Sequence, residues 1–198
     1  MEKSFLALLF RQKFINRWSL MYNTHPESLS THVLECSLLT HFLCAIGNTY
    51  FGKSYESEKL VTYALYHDAT EILTGDLPTP IKYHNAELKN AYRNLETLAS
   101  QKLLTSMPLE LQETFEKYFT SSTLTPEENT LIKVADKLCA YIKCKTELNS
   151  GNKEFLGAYT SIENNINSMS AHCEELKYFL ENYIHIFDMS LDELRANL

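Results

Sequence analysis

The chain has 198 residues, enough for one domain with a buried core of its own. Hydrophobic residues make up 44% and charged residues 22%, a globular composition that excludes disorder as the main state. The formal net charge of -7 excludes a non-specific grip on nucleic acid, so a small anionic substrate needs a local cation or metal to hold it against the field.

Thirty Leu stand against three Val, which favours helices over sheet. Apolar spacing predicts helices over residues 3–14, 30–46, 57–72, 84–105, 108–119, 126–149, 152–168 and 171–186. The first carries Phe5, Leu6, Leu8, Leu9 and Phe10 between Lys3 and Arg11, and reads as an amphipathic helix and not a signal peptide. No apolar run is expected to approach membrane-spanning length. Glycine and proline fall between these segments: Gly47 and Gly52 bracket a turn, and Gly75, Pro78 and Pro80 mark one irregular loop. Thr125-Pro126-Glu127-Glu128 opens the sixth helix, with Thr as N-cap, Pro at the first position and Glu at the third. Ser190-Leu191-Asp192-Glu193 repeats the capping-box form and opens a short last helix. Five cysteines, an odd number with no C-x-x-C, point to a reducing, cytoplasmic setting and away from a disulfide scaffold or zinc finger.

Three features carry candidate chemistry. His67-Asp68 lies late in an apolar helix, and helical spacing to Glu71 sets an imidazole and two carboxylates on one inward face. Burying that much charge is costly unless a cation shares the site. His32 shares a face with Cys36, Leu39 and Leu43, the position of a metal ligand or, as is more common for a lone His, of a core histidine bonded to a carbonyl. Asp136 sits at the edge of the Leu131-Val134-Ala135-Leu138 stripe, as a ligand or as a surface partner of Lys133 or Lys137. Together they give His…His-Asp…Asp on three helices, a mixed set that suits a first-row divalent ion. Arg17-Trp18 offers a phosphate-binding guanidinium beside the single Trp, which by composition alone reads as core. The loop Asp76-Leu77-Pro78-Thr79 is stiffened by proline and serves as a sugar-contacting loop or a plain connector.

These residues resemble the HD-domain phosphohydrolases, and within them the YfbR-type bacterial 5'-deoxynucleotidases. The resemblance runs the full length and is densest in Ile15-Asn16-Arg17-Trp18, in the run from Tyr66 through Thr74-Gly75-Asp76-Leu77-Pro78-Thr79-Pro80 to Tyr83, and around Ala135-Asp136, Leu138 to Tyr141 and Lys143-Cys144. It implies an all-α, single HD-domain bundle over 1–198, helices flanking a central metal site. The metal-site core spans about 28–145, with C-terminal helices over about 152–198 packed on it. His32, His67, Asp68 and Asp136 fall on the metal positions. Glu71 falls on the catalytic carboxylate, with Asp68 and Trp18 also in the catalytic set. Arg17, Trp18, His32, Asp68, Asp76, Leu77, Pro78, Thr79 and Asp136 fall on positions that contact substrate.

The implied reaction is hydrolysis of a deoxyribonucleoside 5'-monophosphate with one divalent ion, cobalt or manganese, in a cytoplasmic homodimer. The rivals are an HD enzyme for a cyclic nucleotide, a nucleoside triphosphate or an alarmone, and a non-catalytic helical binding protein. One departure stands out: the residue before the first His is usually Glu in the family and is Thr31 here. A Glu there that supported the ligand would leave this chain with altered metal affinity.

Overall fold

A computed structural model describes residues 3–82, 84–119, 123–196 and 198; Tyr83, the end of the run that begins at Tyr66, lies outside them. Among the described residues eleven α-helices run in the order α1 Phe5–Leu9, α2 Leu29–Tyr50, α3 Ser57–Tyr66, α4 Glu71–Thr74, α5 Thr79–Lys82, α6 Ala86–Thr105, α7 Leu109–Glu116, α8 Pro126–Asn149, α9 Leu156–Ser170, α10 Glu174–Asn182 and α11 Leu191–Ala196. No strand occurs among the described residues, and the only β-type pairing there is one isolated antiparallel bridge, Asn16 to Ser28.

Helix α2 is central and packs against α3, α8 and α10. Its Cys36, Leu43, Cys44 and Ile46 meet Leu60 and Ala64 of α3 and Leu131, Val134, Ala135 and Leu138 of α8 in one dry core. The helices begin where local chemistry allows. Ser28 caps α2 by accepting from Thr31 N, and Thr125 and Glu128 form the reciprocal box at the start of α8, with Pro126 in the first turn. Ser190 and Glu193 do the same before α11.

Five expectations are corrected. Helix α2 runs four residues past 46, and with a mean hydropathy of 1.4 it is long and apolar enough to cross a membrane; half of that stretch is buried inside the protein. Gly47 is therefore inside a helix and not at a turn. A Cβ there would lie 2.6 Å from the Tyr55 ring, so the glycine is required by close packing. The segment 57–72 breaks after Tyr66. Pro80 does not lie in an irregular loop but in the first turn of α5, where its missing N–H costs nothing.

The segment between α1 and α2 has no long helix of its own to hold it. It is clamped instead onto the end of α8 by Glu147, a carboxylate with no exposed surface. Glu147 accepts from Thr24 N and His25 N at 2.9 Å and from Asn152 Nδ2 at 2.8 Å, and pairs with Lys143, which also donates to His25 O. Burial opposes the charge, but Lys143, Asn152 and the two amides outweigh it and hold the carboxyl down to about 2.

Glu147→Gln should cost about 3 kcal/mol at neutral pH, because it leaves Lys143 buried and uncompensated. The folded-state pKa lies below the unfolded value of 4.5, so this stabilisation is complete above that pH and fades as pH falls toward 2. Urea denaturation should show the gap between wild type and variant narrowing from about pH 6 to about pH 3; a gap independent of pH would contradict the assignment.

Candidate functional site

Local backbone explains how His67 and Asp68 are presented. Beyond the end of α3, Ala69 N bonds Tyr66 O, Glu71 N bonds Asp68 O and Leu73 N bonds Thr70 O, each three residues back at 3.0 Å. The chain thus passes through a tight turn, and Glu71 opens α4 instead of sharing the helix of His67. Ala69, wholly buried with Phe5, Leu103 and Met107, anchors the turn. Within it His67 Nδ1 lies 2.6 Å from Ala64 O. A carbonyl only accepts, so Nδ1 carries the proton and Nε2 faces the cleft.

The side chains meet at Asp68 Oδ2. His67 Nε2 lies 3.1 Å away, His32 Nε2 3.4 Å and Arg17 Nη1 3.4 Å. Asp136 Oδ1 approaches the same His32 nitrogen at 3.3 Å. One ligand atom each from His32, His67 and Asp68 lies within 4.8 Å of the others; Asp136 joins through His32 and is outside that tight group. The histidine is the enclosed end of the cluster and Asp136 the open end, with side chains 0% and 35% exposed.

Four nitrogens here, Arg17 Nε, His32 Nδ1, His32 Nε2 and His67 Nε2, are buried facing carboxylate oxygens at 3.1–3.5 Å without hydrogen-bond alignment, and Glu71 Oε2 is buried without a hydrogen-bond partner among the described residues. A buried polar atom costs about 1–3 kcal/mol when nothing compensates it. Two imidazole nitrogens and a carboxylate turned toward one point form a donor set that fits a divalent ion of the first transition row. Charge balance shows the same demand. Burial resists the imidazolium, yet Asp136 and Asp68 outweigh it and push His32 up to about 9. His67 is raised in the same way, chiefly by Asp68, while the two histidines hold Asp68 and Asp136 low against burial. In the absence of a cation, protons on the imidazoles balance the carboxylates. Glu71 is pushed up to about 9 by burial and then by Asp68 and Asp76.

Arg17 and Trp18 reach this cluster from the clamped segment. Burial lowers the proton affinity of Arg17, and Asp68, Asp76, Glu27 and Asp136 more than restore it, so the guanidinium stays charged. Its Nη1 sits between Asp68 and Asp76 Oδ1, the latter at 4.0 Å. Trp18 has φ +57, a left-handed backbone that costs a non-glycine residue about 1–2 kcal/mol. It is half-buried against Phe155, and Met21 N and Asn23 Nδ2 donate to its carbonyl. Gly75, at φ +75, ends α4 and turns the chain into Asp76. Of the loop, Asp76 is brought to Arg17; Leu77 and Pro78 are half-buried and Thr79 is exposed as they lead into α5.

Two positions read differently from expectation. Thr31 is exposed, with Oγ1 2.9 Å from Ser28 Oγ, and is not turned toward His32. Glu27, not anticipated, is buried and faces His32, Arg17 and Trp18. The available signal was its place directly ahead of an N-cap serine.

This arrangement of helices is that of a known fold. A solved HD-domain phosphohydrolase from Listeria innocua matches with a TM-score of 0.80 at 21% identity, covering 93% of this chain and 88% of that one. A cyanophage S-2L HD phosphohydrolase, described as bound to dA and one catalytic Zn2+ ion, matches with a TM-score of 0.63 at 23% identity over 90% and 95%. The fold is therefore that of the HD-domain phosphohydrolases. The family model for 5'-deoxynucleotidase YfbR-like proteins matches residues 4–187, and the chain belongs to that family. A 5'-deoxynucleotidase of Photorhabdus laumondii is 43% identical over 194 residues, covering 98% of each chain.

A divalent ion at a hundredfold above its dissociation constant should stabilise the folded chain by about 2.7 kcal/mol. His67→Ala and Asp136→Ala should remove most of this increment in thermal melts with and without chelator. The full increment in either variant would contradict the ligand set.

Proposed function

We propose that the chain hydrolyses a deoxyribonucleoside 5'-monophosphate to the deoxynucleoside and inorganic phosphate. The reading rests on the Arg17 guanidinium, held between the His32–His67–Asp68 cluster and Asp76 at the head of the 76–79 loop. Phosphate bound there sits between a charged fork and a cation site, with the nucleoside toward the loop.

The chain is in this reading a phosphoric monoester hydrolase. His32, His67, Asp68 and Asp136 hold one divalent ion, cobalt or manganese, which when bound polarises a phosphate oxygen and lowers the pKa of water. Arg17 neutralises charge on the phosphoryl oxygens as the P–O5' bond breaks and a new P–O bond forms to water. Glu71 positions the attacking water or moves its proton, and that proton ends on the 5' oxygen, which leaves as a hydroxyl. Trp18 orients the phosphate from its constrained backbone, and Asp76, Leu77, Pro78 and Thr79 contact the deoxynucleoside.

The whole chain acts as one HD domain, its C-terminal helices α9 and α10 packed on α8 and α2. All five cysteines are unpaired and buried, which accords with a reducing cytoplasm. A homodimer would cover the outward stripe of α2, where Leu34, Leu38 and Phe42 are exposed.

Phosphate release from deoxy and ribo 5'-monophosphates, cyclic nucleotides and triphosphates, with cobalt, manganese and magnesium, tests the reading. Deoxy 5'-monophosphates should lead; a cyclic or triphosphate preference, or no release with any ion, would overturn it. Glu71→Ala should keep metal content and lose about 100-fold or more in kcat; full turnover would remove Glu71 from the reaction.

A further inference from the structure

The geometry points to Glu27 as the residue that sets the orientation of three site side chains at once, an inference that rests on the cation reading above. Its carboxylate is buried. Oε1 pairs with Arg17 Nε at 3.1 Å and lies 3.5 Å from His32 Nδ1, while Oε2 accepts from Trp18 Nε1 at 3.1 Å. Its carbonyl accepts from Arg17 N at 3.0 Å, and Leu29 N donates to Ile15 O at 2.8 Å, so the backbone pairs the same two segments that the side chain joins.

Helix-start geometry explains why residue 27 can reach residue 32. With Ser28 as N-cap, Glu27 is the residue before the cap and His32 the fourth helical residue. Side chains at those two positions lie together at helix starts, usually as an apolar staple. Here the pair is an imidazole and a carboxylate. A histidine with Nδ1 against a carboxylate presents Nε2 outward, here toward Asp68 and Asp136. An arginine with Nε engaged keeps its terminal nitrogens for Asp68, Asp76 and a bound anion. The Trp18 ring is fixed by its N–H, which gives its left-handed backbone a side-chain anchor.

The same numbering gives Thr31 a separate part. It is the third helical residue, the place where Glu completes a capping box with an N-cap serine. A Glu at this position would complete the helix cap, and Thr31 in its place leaves the support of His32 unchanged. The carboxylate that supports His32 comes from the other side of the N-cap.

Cobalt titration followed by visible absorption, with kcat, KM and metal-free melting temperature, separates these parts. Glu27→Gln should weaken cobalt binding by about 10- to 100-fold and lower kcat/KM for a deoxynucleoside monophosphate. Thr31→Glu should raise the melting temperature by about 2 °C and leave cobalt affinity within twofold. Glu27→Gln binding cobalt as wild type does, or Thr31→Glu shifting its affinity tenfold, would overturn the assignment. Should Glu27→Gln not fold, 15N–1H spectra of the zinc-loaded wild type decide: the ion on His32 Nε2 and the proton on Nδ1 support it, and the reverse overturns it. Wild type that binds no cobalt overturns the cation reading and the role of Glu27 with it. Wild type that binds, alongside an unaffected Glu27→Gln, overturns only the latter.

Discussion

Everything in this molecule is arranged around the cost of enclosing two imidazoles, several carboxylates and a guanidinium about one oxygen, Asp68 Oδ2. Buried charge without a partner is destabilising, and no apolar packing removes that cost. The helices that carry it pack the rest of their inward faces with apolar side chains. Helix α2, hydrophobic enough to span a membrane by composition, buries His32 at one end, and α8 delivers Asp136 from the edge of a stripe of leucine, valine and alanine. Protons balance the cluster when no cation does, as the raised His32 and His67 and the lowered Asp68 and Asp136 show. A divalent ion does the same with better geometry.

The side of the site that carries Arg17 and Trp18 is held differently. Arg17 and Trp18 lie on a segment without regular structure, and their placement depends on two buried carboxylates. Glu147 ties residues 24 and 25 to the end of α8, and Glu27 ties the functional side chains to one another. Strain at Trp18 is sustained between those anchors. The same clamp that lowers the free energy of the fold sets the position of Arg17.

Much of this was legible before any coordinates. The capping box at Thr125 and Glu128 and the apolar period of α8 placed that helix at its observed bounds, because local chemistry and packing agree there. His32, His67, Asp68 and Asp136 were legible as a set, though each had an ordinary alternative, and the structure gathers them with Asp136 at the margin. The break after Tyr66 was not legible. Over five residues the spacing of a helix and of a tighter turn differ too little to separate. Gly47 looked like a turn because its reason is a contact with Tyr55, distant in space from any local signal. Glu27 was missed since periodicity says nothing of a charged residue outside a helix.

Anomalous diffraction from crystals grown with manganese tests the central claim most directly. The account predicts one peak within bonding distance of His32 Nε2, His67 Nε2, the Asp68 carboxylate and the Asp136 carboxylate. No peak in that cleft, or a peak held by other residues, would contradict it.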